Sequence, residues 1–286
     1  MPTVRTNDIE TYYELAGDGP VVVFVHASML DHSVWDAQAA ALRADHTTLV
    51  YDLRGHGRTG GSQRASYTID LFVDDLDALL DALSLDSVVL CGLSMGGLIA
   101  ECYATRHPER VVGLVLAETW TPPVLGASDW LVRRVVLPAT VLPVRLFGIE
   151  RVERANVWLT ERFARGAGGD YAAIQRLRRD APPMATAEFT KVVGAMTRFH
   201  RTTVDLSALT MPTLVLVAAN GLPFVRRHAA RIAASADERA GVSVETVPDA
   251  GHAVTVDAPD VVTDAIRGLL TRIESVPGPG DTTRTG

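Results

Sequence analysis

Lysine is almost absent from this chain: Lys191 is the only one, and arginine carries the rest of the basic charge. Acid still outweighs base, with 34 Asp and Glu against 27 Lys and Arg, for a formal net charge of −7. No basic stripe is available to neutralise phosphates, so a nucleic-acid partner is not expected. Cysteine is scarce too. Cys91 and Cys102 form neither a metal-ligand nor a redox spacing, and a reducing, cytoplasmic setting is the default expectation. No run of eighteen apolar residues occurs. The most apolar stretch, Trp130 to Phe147, is broken by Arg133, Arg134, Pro138, Pro143 and Arg145, which argues against a membrane span. The polar start, MPTVRTNDIE, has no apolar centre, so no secretory signal is expected.

What remains is ordinary for a globular enzyme: 286 residues, 47% apolar and 21% charged, enough for one large domain carrying an insertion. Strands and helices alternate, as a mostly parallel sheet covered on both faces requires. Expected strands are Ile9–Glu14, Pro20–Val25, Thr47–Tyr51, Val88–Cys91, Val111–Ala117, Pro212–Ala218 and Val242–Val247. Runs such as PVVVFV and VVGLVLA are apolar throughout, the mark of strands buried on both sides. Helices are expected over Ser33–Ala44, around Ile69–Leu83 with its apolar stripe, over Met95–His107, and over Pro259–Ile273.

Between Ala117 and Pro212 the strand rhythm stops, for too long to be a loop. Trp130–Val136, Arg151–Phe163, Tyr171–Arg179 and Thr186–His200 read as helices. The expected organisation is a core of residues 1–118 and 206–274 and a helical lid of residues 119–205 inserted after the sixth strand. A Pro/Gly/Thr-rich tail, 275–286, is expected to be disordered. The apolar segment Leu131–Phe147 reads as lid core, with a lipid-facing surface as its rival.

Gly92-Leu93-Ser94-Met95-Gly96 matches G-x-S-x-G between a buried strand and a helix. A sharp strand-to-helix turn holds the serine in a strained conformation, and flanking glycines let neighbouring chain approach without Cβ clashes. A serine hydroxyl needs a base within hydrogen-bond reach. Of the eight histidines, His252 in Asp-Ala-Gly-His follows the last strand, where the chain returns to the C-terminal edge of the sheet. The N–H groups of Met95 and Ser28 are the candidate oxyanion donors. His26 and His56 are expected to be buried and to shape their loops.

Taken together, VFVHASMLDHSVWD, YDLRGHGRTG, GLSMGG and DAGHAVTVDAP resemble the oxyanion loop, D-x-R-G-x-G turn, nucleophile elbow and histidine loop of the α/β-hydrolase superfamily, in that order. The flavour is that of its lidded esterases and enol-lactonases. The resemblance implies an α/β-hydrolase fold and a Ser94 nucleophile with His252 as general base. It also implies a small-molecule ester or lactone substrate, and neither metal nor organic cofactor.

One position departs from the pattern. In this family a carboxylate follows the strand read here as PTLVLVA, but that acid position is Gly221, and no Asp or Glu occurs before Asp237. Glu118, after the preceding strand, is the substitute candidate, and Asn220 is an uncharged third option. If neither serves, a hydrolase-fold binding protein with weakened catalysis is the alternative, since losing the acid can cost about 10⁴ in turnover.

Overall fold

The computed structural model describes residues 2–163, 170–177 and 182–275. These residues form an eight-stranded sheet in the order β1-β2-β4-β3-β5-β6-β7-β8. β1 (Thr3–Thr6) and β2 (Ile9–Ala16) pair antiparallel, and β2 runs antiparallel to β4 (Thr47–Tyr51). All later pairings are parallel: β3 (Val21–Val25), β5 (Val88–Leu93), β6 (Val111–Ala117), β7 (Thr213–Ala218) and β8 (Ser243–Val247). β1 has no counterpart among the expected strands, because TVRT buries only Thr6 and carries no apolar alternation.

The apolar runs feed two cores at once, because successive side chains leave a strand on opposite faces. Val23 and Val25 of β3 enter one core with α2 (Ile69–Ala82), α3 (Met95–Arg106) and α10 (Pro223–Ser235). Val22 and Phe24 enter the other, with α1 (Asp36–Leu42) and α12 (Pro259–Glu274). Thr68 starts α2 by accepting the Leu71 N–H, and the stripe Phe72, Val73, Leu76, Leu79 and Leu80 is wholly buried. Each such side chain contributes about 1.5–3 kcal/mol by leaving water.

Several boundaries differ from expectation. The helix expected over Ser33–Ala44 divides into a 3-10 turn (His32–Trp35) and α1, because Asp31 caps the turn by accepting the Ser33 N–H. α10 was not anticipated: its RRHAARIAAS core alternates arginine with small residues, and its buried stripe is only Phe224, Val225, His228, Ala229 and Ile232.

Between β6 and β7 the chain is helical. α4 (Ala127–Leu131) runs through a π-turn (Val132–Val136) into α5 (Leu137–Ala139) with helical torsions throughout. α6 (Val141–Phe147), α7 (Ile149–Phe163), α8 (Tyr171–Leu177) and α9 (Thr186–Arg198) follow. α6 was not anticipated, and α7 starts two residues earlier than expected. The final residues of the helix expected to reach Arg179, and tail residues 276–286, lie outside the described residues; Ser275 caps α12.

α9 joins the main core through Val192, Ala195 and Met196, whereas α6 and α7 rest on a separate small cluster around Val144, Phe189 and Val193. Most of Leu131–Phe147 is not core. Leu131, Leu142, Leu146 and Phe147 are 49%, 63%, 66% and 58% exposed, because of α6 only Val144, with Val141 partly covered, packs against α9. Among the described residues no helix is long and apolar enough to cross a membrane.

The first inserted helix is fastened to α10 by a buried polar knot. His228 Nδ1 accepts the Thr121 N–H at 3.0 Å, so Nε2–H is left to donate to Asp129 Oδ2 at 3.0 Å. Burial pushes the His228 imidazole down to about 4 despite the opposing carboxylate. The Arg133 guanidinium donates to the carbonyls of Thr121, Pro122 and Pro123 and pairs with Asp129.

Candidate active site

The β5–α3 junction places Ser94. Its backbone sits at φ 53° and ψ −113°, which a side-chain-bearing residue adopts only under constraint. Two glycines make that possible. A Cβ on Gly92 would run into the Gly96 carbonyl, and one on Gly96 would run into the Val25 carbonyl, with the His26 oxygen at 2.7 Å. The first turn of α3 therefore lies directly against the end of β3, where the loop carrying Ser28 departs. Met95 is buried as the first residue of α3, and Ser28 is half-buried in that loop. Its oxyanion role, like that of Met95, remains an assignment from position.

His26 ties this loop to the next. Its Nδ1–H donates to the Ala27 carbonyl at 2.7 Å, and its Nε2 accepts the Leu53 N–H at 2.9 Å. Complete burial lowers its proton affinity, with Asp52 only partly opposing. His56, equally buried, is pushed down to about 3 and donates to the Arg54 carbonyl within its turn. Both are loop-shaping residues, as their positions suggested.

Ser94, His252 and Glu118 form a continuous hydrogen-bonded line. His252 Nε2 lies 2.9 Å from Ser94 Oγ, and His252 Nδ1 lies 3.1 Å from Glu118 Oε2. Ser94 and Glu118 are 3% and 1% exposed, while the imidazole is reachable from outside. The histidine loop is braced from below, since Asp257 of α11 (Val254–Asp257) accepts the Gly251 N–H at 2.8 Å.

Glu118 is placed by the sheet itself. As the first residue after β6 it extends the ladder, donating its N–H to Leu216, while the Ser94 N–H donates to Ala117. Its backbone then turns into the left-handed region, φ 46°, which carries its side chain toward β7. There Oε1 accepts the Ala218 N–H at 2.6 Å, leaving Oε2 for His252. Asn220, the uncharged option, is exposed, and the histidine nitrogen that needs a partner faces Glu118 instead.

Two supporting residues escaped the sequence analysis. Thr119 donates its hydroxyl to the Ser94 carbonyl at 2.8 Å, bracing the elbow from the residue beside the acid, and Asp257 holds the histidine loop. Thr119 follows directly on a candidate acid, and that adjacency was the available signal.

Among the described residues one trio has metal-ligand chemistry: Asp31, His32 and Asp52, whose ligand-type atoms lie within 4.8 Å of one another. These side chains already serve the protein itself: Asp52 accepts the N–H groups of His32 and Arg58, and Asp31 accepts the N–H and the hydroxyl of Ser33. Burial disfavours charge on Asp52, but the hydrogen bonds from His32 and the charges of His26 and His32 together hold the carboxyl below the usual range. This trio staples the two loops together.

The fold, the elbow and the histidine loop meet their counterpart in a sequence profile described as the alpha/beta hydrolase fold, which matches residues 20–259. The chain belongs to the α/β-hydrolase fold family. Within the family, it is 28% identical over 273 residues to a putative carbamate hydrolase RutD of Variovorax paradoxus, covering 93% of this chain and 98% of that protein. It is 33% identical over 119 residues to 3-oxoadipate enol-lactonase 2 of Acinetobacter baylyi, a match covering 41% of this chain and 44% of that protein. The structure of a thermophilic esterase from Thermogutta terrifontis superposes with a TM-score of 0.74 at 27% identity, covering 96% of this chain and 99% of that one.

Proposed function

We propose that this chain is a serine hydrolase that cleaves a carboxylic ester or lactone through a Ser94 acyl-enzyme. The observation that carries this reading is the unbroken line Ser94 Oγ, His252 Nε2, His252 Nδ1, Glu118 Oε2, with separations of 2.9 and 3.1 Å across its two hydrogen bonds. Ser94 Oγ attacks the acyl carbon while His252 Nε2 takes its proton. The N–H groups of Met95 and Ser28 hold the oxyanion. The acyl–oxygen bond then breaks, and the imidazolium gives its proton to the departing alkoxide, which stays tethered when the substrate is a lactone. Water, deprotonated by the same nitrogen, attacks the acyl carbon, and Ser94 leaves with its proton restored. Glu118 fixes the Nδ1–H tautomer and balances the imidazolium charge.

Lactonase, esterase and carbamate hydrolase, the names carried by its relatives, all concern a carbonyl joined to a leaving heteroatom, which this sequence of steps accommodates. In this reading residues 119–205 serve as the lid over that chemistry, an insertion that leaves the sheet directly after Glu118 at the C-terminal end of β6.

The rival reading, a binding protein with decayed catalysis, rested on Gly221 as an empty acid position. It loses its motivation, because a carboxylate does stand beside that position, 3.0 Å from where a Gly221 Cβ would be. The test is a burst of chromogenic alcohol from an activated ester, with fluorophosphonate labelling of wild type and Ser94→Ala. The reading requires one labelled serine, lost with activity in the variant at an unchanged melting temperature. Full activity in Ser94→Ala would end it.

A further inference from the structure

Glycine at 221 needs its own explanation, because its backbone does not. It is absent from the left-handed glycines, so any L-residue fits the local torsions. What the position does not accommodate is a side chain. A Cβ there would stand 3.0 Å from both carboxylate oxygens of Glu118 and 3.1 Å from the Ala218 Cβ, tighter than ordinary packing allows.

Both sides are held by hydrogen bonds. Glu118 Oε1 is bound to the Ala218 N–H at 2.6 Å and Oε2 to His252 at 3.1 Å, and its own N–H is tied to Leu216. On the other side, the turn is closed by the Gly221 N–H donating to Ala218 and the Asn220 N–H donating to Ala250. The carboxylate and position 221 therefore press on each other through fixed backbone.

From this we infer that Gly221 is a positioning residue whose missing side chain seats Glu118, and that positions 118 and 221 compete for one carboxylate volume. The inference rests on the proposed role of Glu118 as the acid. An aspartate at 221 would carry its oxygens about 2.4 Å beyond Cα's neighbour Cβ, into the space that the Glu118 oxygens fill at 3.0 Å. Glu118 reaches the far nitrogen of His252 from β6, and the inference requires an aspartate at 221 to reach it from β7. Both together crowd two like charges into a site with one imidazole, and one of them must take up a proton or move away. The chain thus holds its acid on β6 because β7 offers none, and keeps β7 bare because β6 supplies one.

The test is a sign reversal. Gly221→Ala displaces Glu118 by tenths of an ångström, and kcat on a short-chain p-nitrophenyl ester should fall about tenfold or more with KM nearly unchanged. Gly221→Asp should likewise lower kcat in the wild-type background. In Glu118→Ala the same Gly221→Asp change should raise kcat at least about tenfold, as the single carboxylate returns from the other strand. A general structural role for Gly221 would make Gly221→Asp harmful in both backgrounds, so that result overturns the inference. So does a Gly221→Asp change that is neutral in wild type. If Glu118→Ala itself keeps wild-type kcat, the assignment of Glu118 as the acid fails instead, and the two failures are told apart by that one variant. Should Gly221→Ala not fold, the Glu118→Ala/Gly221→Asp double variant decides alone.

Discussion

Replacing Glu118 by glutamine should damage this enzyme more than replacing it by alanine. The carboxylate accepts two hydrogen bonds at once, from the Ala218 N–H at 2.6 Å and from His252 Nδ1 at 3.1 Å. Glutamine has one accepting oxygen. The Ala218 amide is buried backbone, so turning the side-chain NH₂ toward it sets donor against donor at a cost of about 1–3 kcal/mol. The oxygen therefore faces Ala218, and the NH₂ faces His252. It can only donate there, which makes Nδ1 an acceptor and moves the ring proton to Nε2, against Ser94 Oγ. In that tautomer the ring has no lone pair for the serine proton. Holding the wrong tautomer costs about 10³–10⁴ in kcat, or about 4–5.5 kcal/mol at 1.36 kcal/mol per decade. Alanine leaves Nδ1 with no imposed partner and the ring free to choose, so its loss should fall below that of glutamine. It should instead cost stability, because the Ala218 N–H loses its acceptor. Steady-state kcat with an activated ester, beside melting temperatures of the three proteins, reads both effects. If the glutamine variant equals or exceeds the alanine variant in kcat, the tautomer reasoning is wrong.

Three further outcomes follow from other parts of the molecule. His56 and His228, held down at about 3 and about 4 by burial, should show no imidazole titration by NMR between pH 8 and pH 5. The unfolded chain protonates both near 6.5, so stability should fall as pH drops below that value, by about 1.4 kcal/mol per unit for each histidine down to its folded value; a denaturation midpoint flat from pH 6.5 to 5 would contradict this. Gly96→Ala forces a methyl group into the Val25 carbonyl, and the separation of α3 from β3 should cost about 3 kcal/mol and most of the activity, read by denaturant unfolding beside kcat. Arg133→Met leaves Asp129 and the carbonyls of Thr121 and Pro122 without their buried donor, at a cost of about 3–5 kcal/mol; an unchanged unfolding midpoint would show the knot to be idle.

The core strands were legible because burial on both faces writes itself as an apolar run: VVGLVLA was bounded to the residue at Val111–Ala117. The edge was not, since β1 gains its place from backbone pairing to β2 and TVRT has no pattern to show. α10 stayed hidden because its exposed face is largely arginine and alanine and its short buried stripe is interrupted by His228. The spacing around Ser94 and the loop of His252 pointed to groups that lie 2.9 Å apart, for the elbow is a local backbone constraint and leaves a local signature. Glu118 was visible only as a carboxylate at the correct sheet edge. What turns it toward His252, a positive φ and an N–H on the neighbouring strand, belongs to the pairing of β6 with β7 and has no motif. The exposed apolar residues of α6 misled for the opposite reason: periodicity tells which residues share a face and is silent on whether anything covers it.

The knot of Thr121, His228, Asp129 and Arg133 divides the inserted helices into parts with different freedom to change. The stretch from Thr121 to Arg133 is bolted to α10, and exchanging it would require matching a histidine on a distant helix. Among the described residues beyond Thr140, α6 and α7 rest on α9 through a small apolar cluster with Val144, Phe189 and Val193 at its centre, while further on the Asp170 N–H donates to Asp257 beside the histidine loop. Exchange of α6 and α7 between related proteins would therefore leave the knot intact, whereas a replacement reaching Asp170 would also disturb the Asp257 brace of the histidine loop. A cut made at the obvious seam, the end of β6, would carry away half of a lock whose other half stays behind.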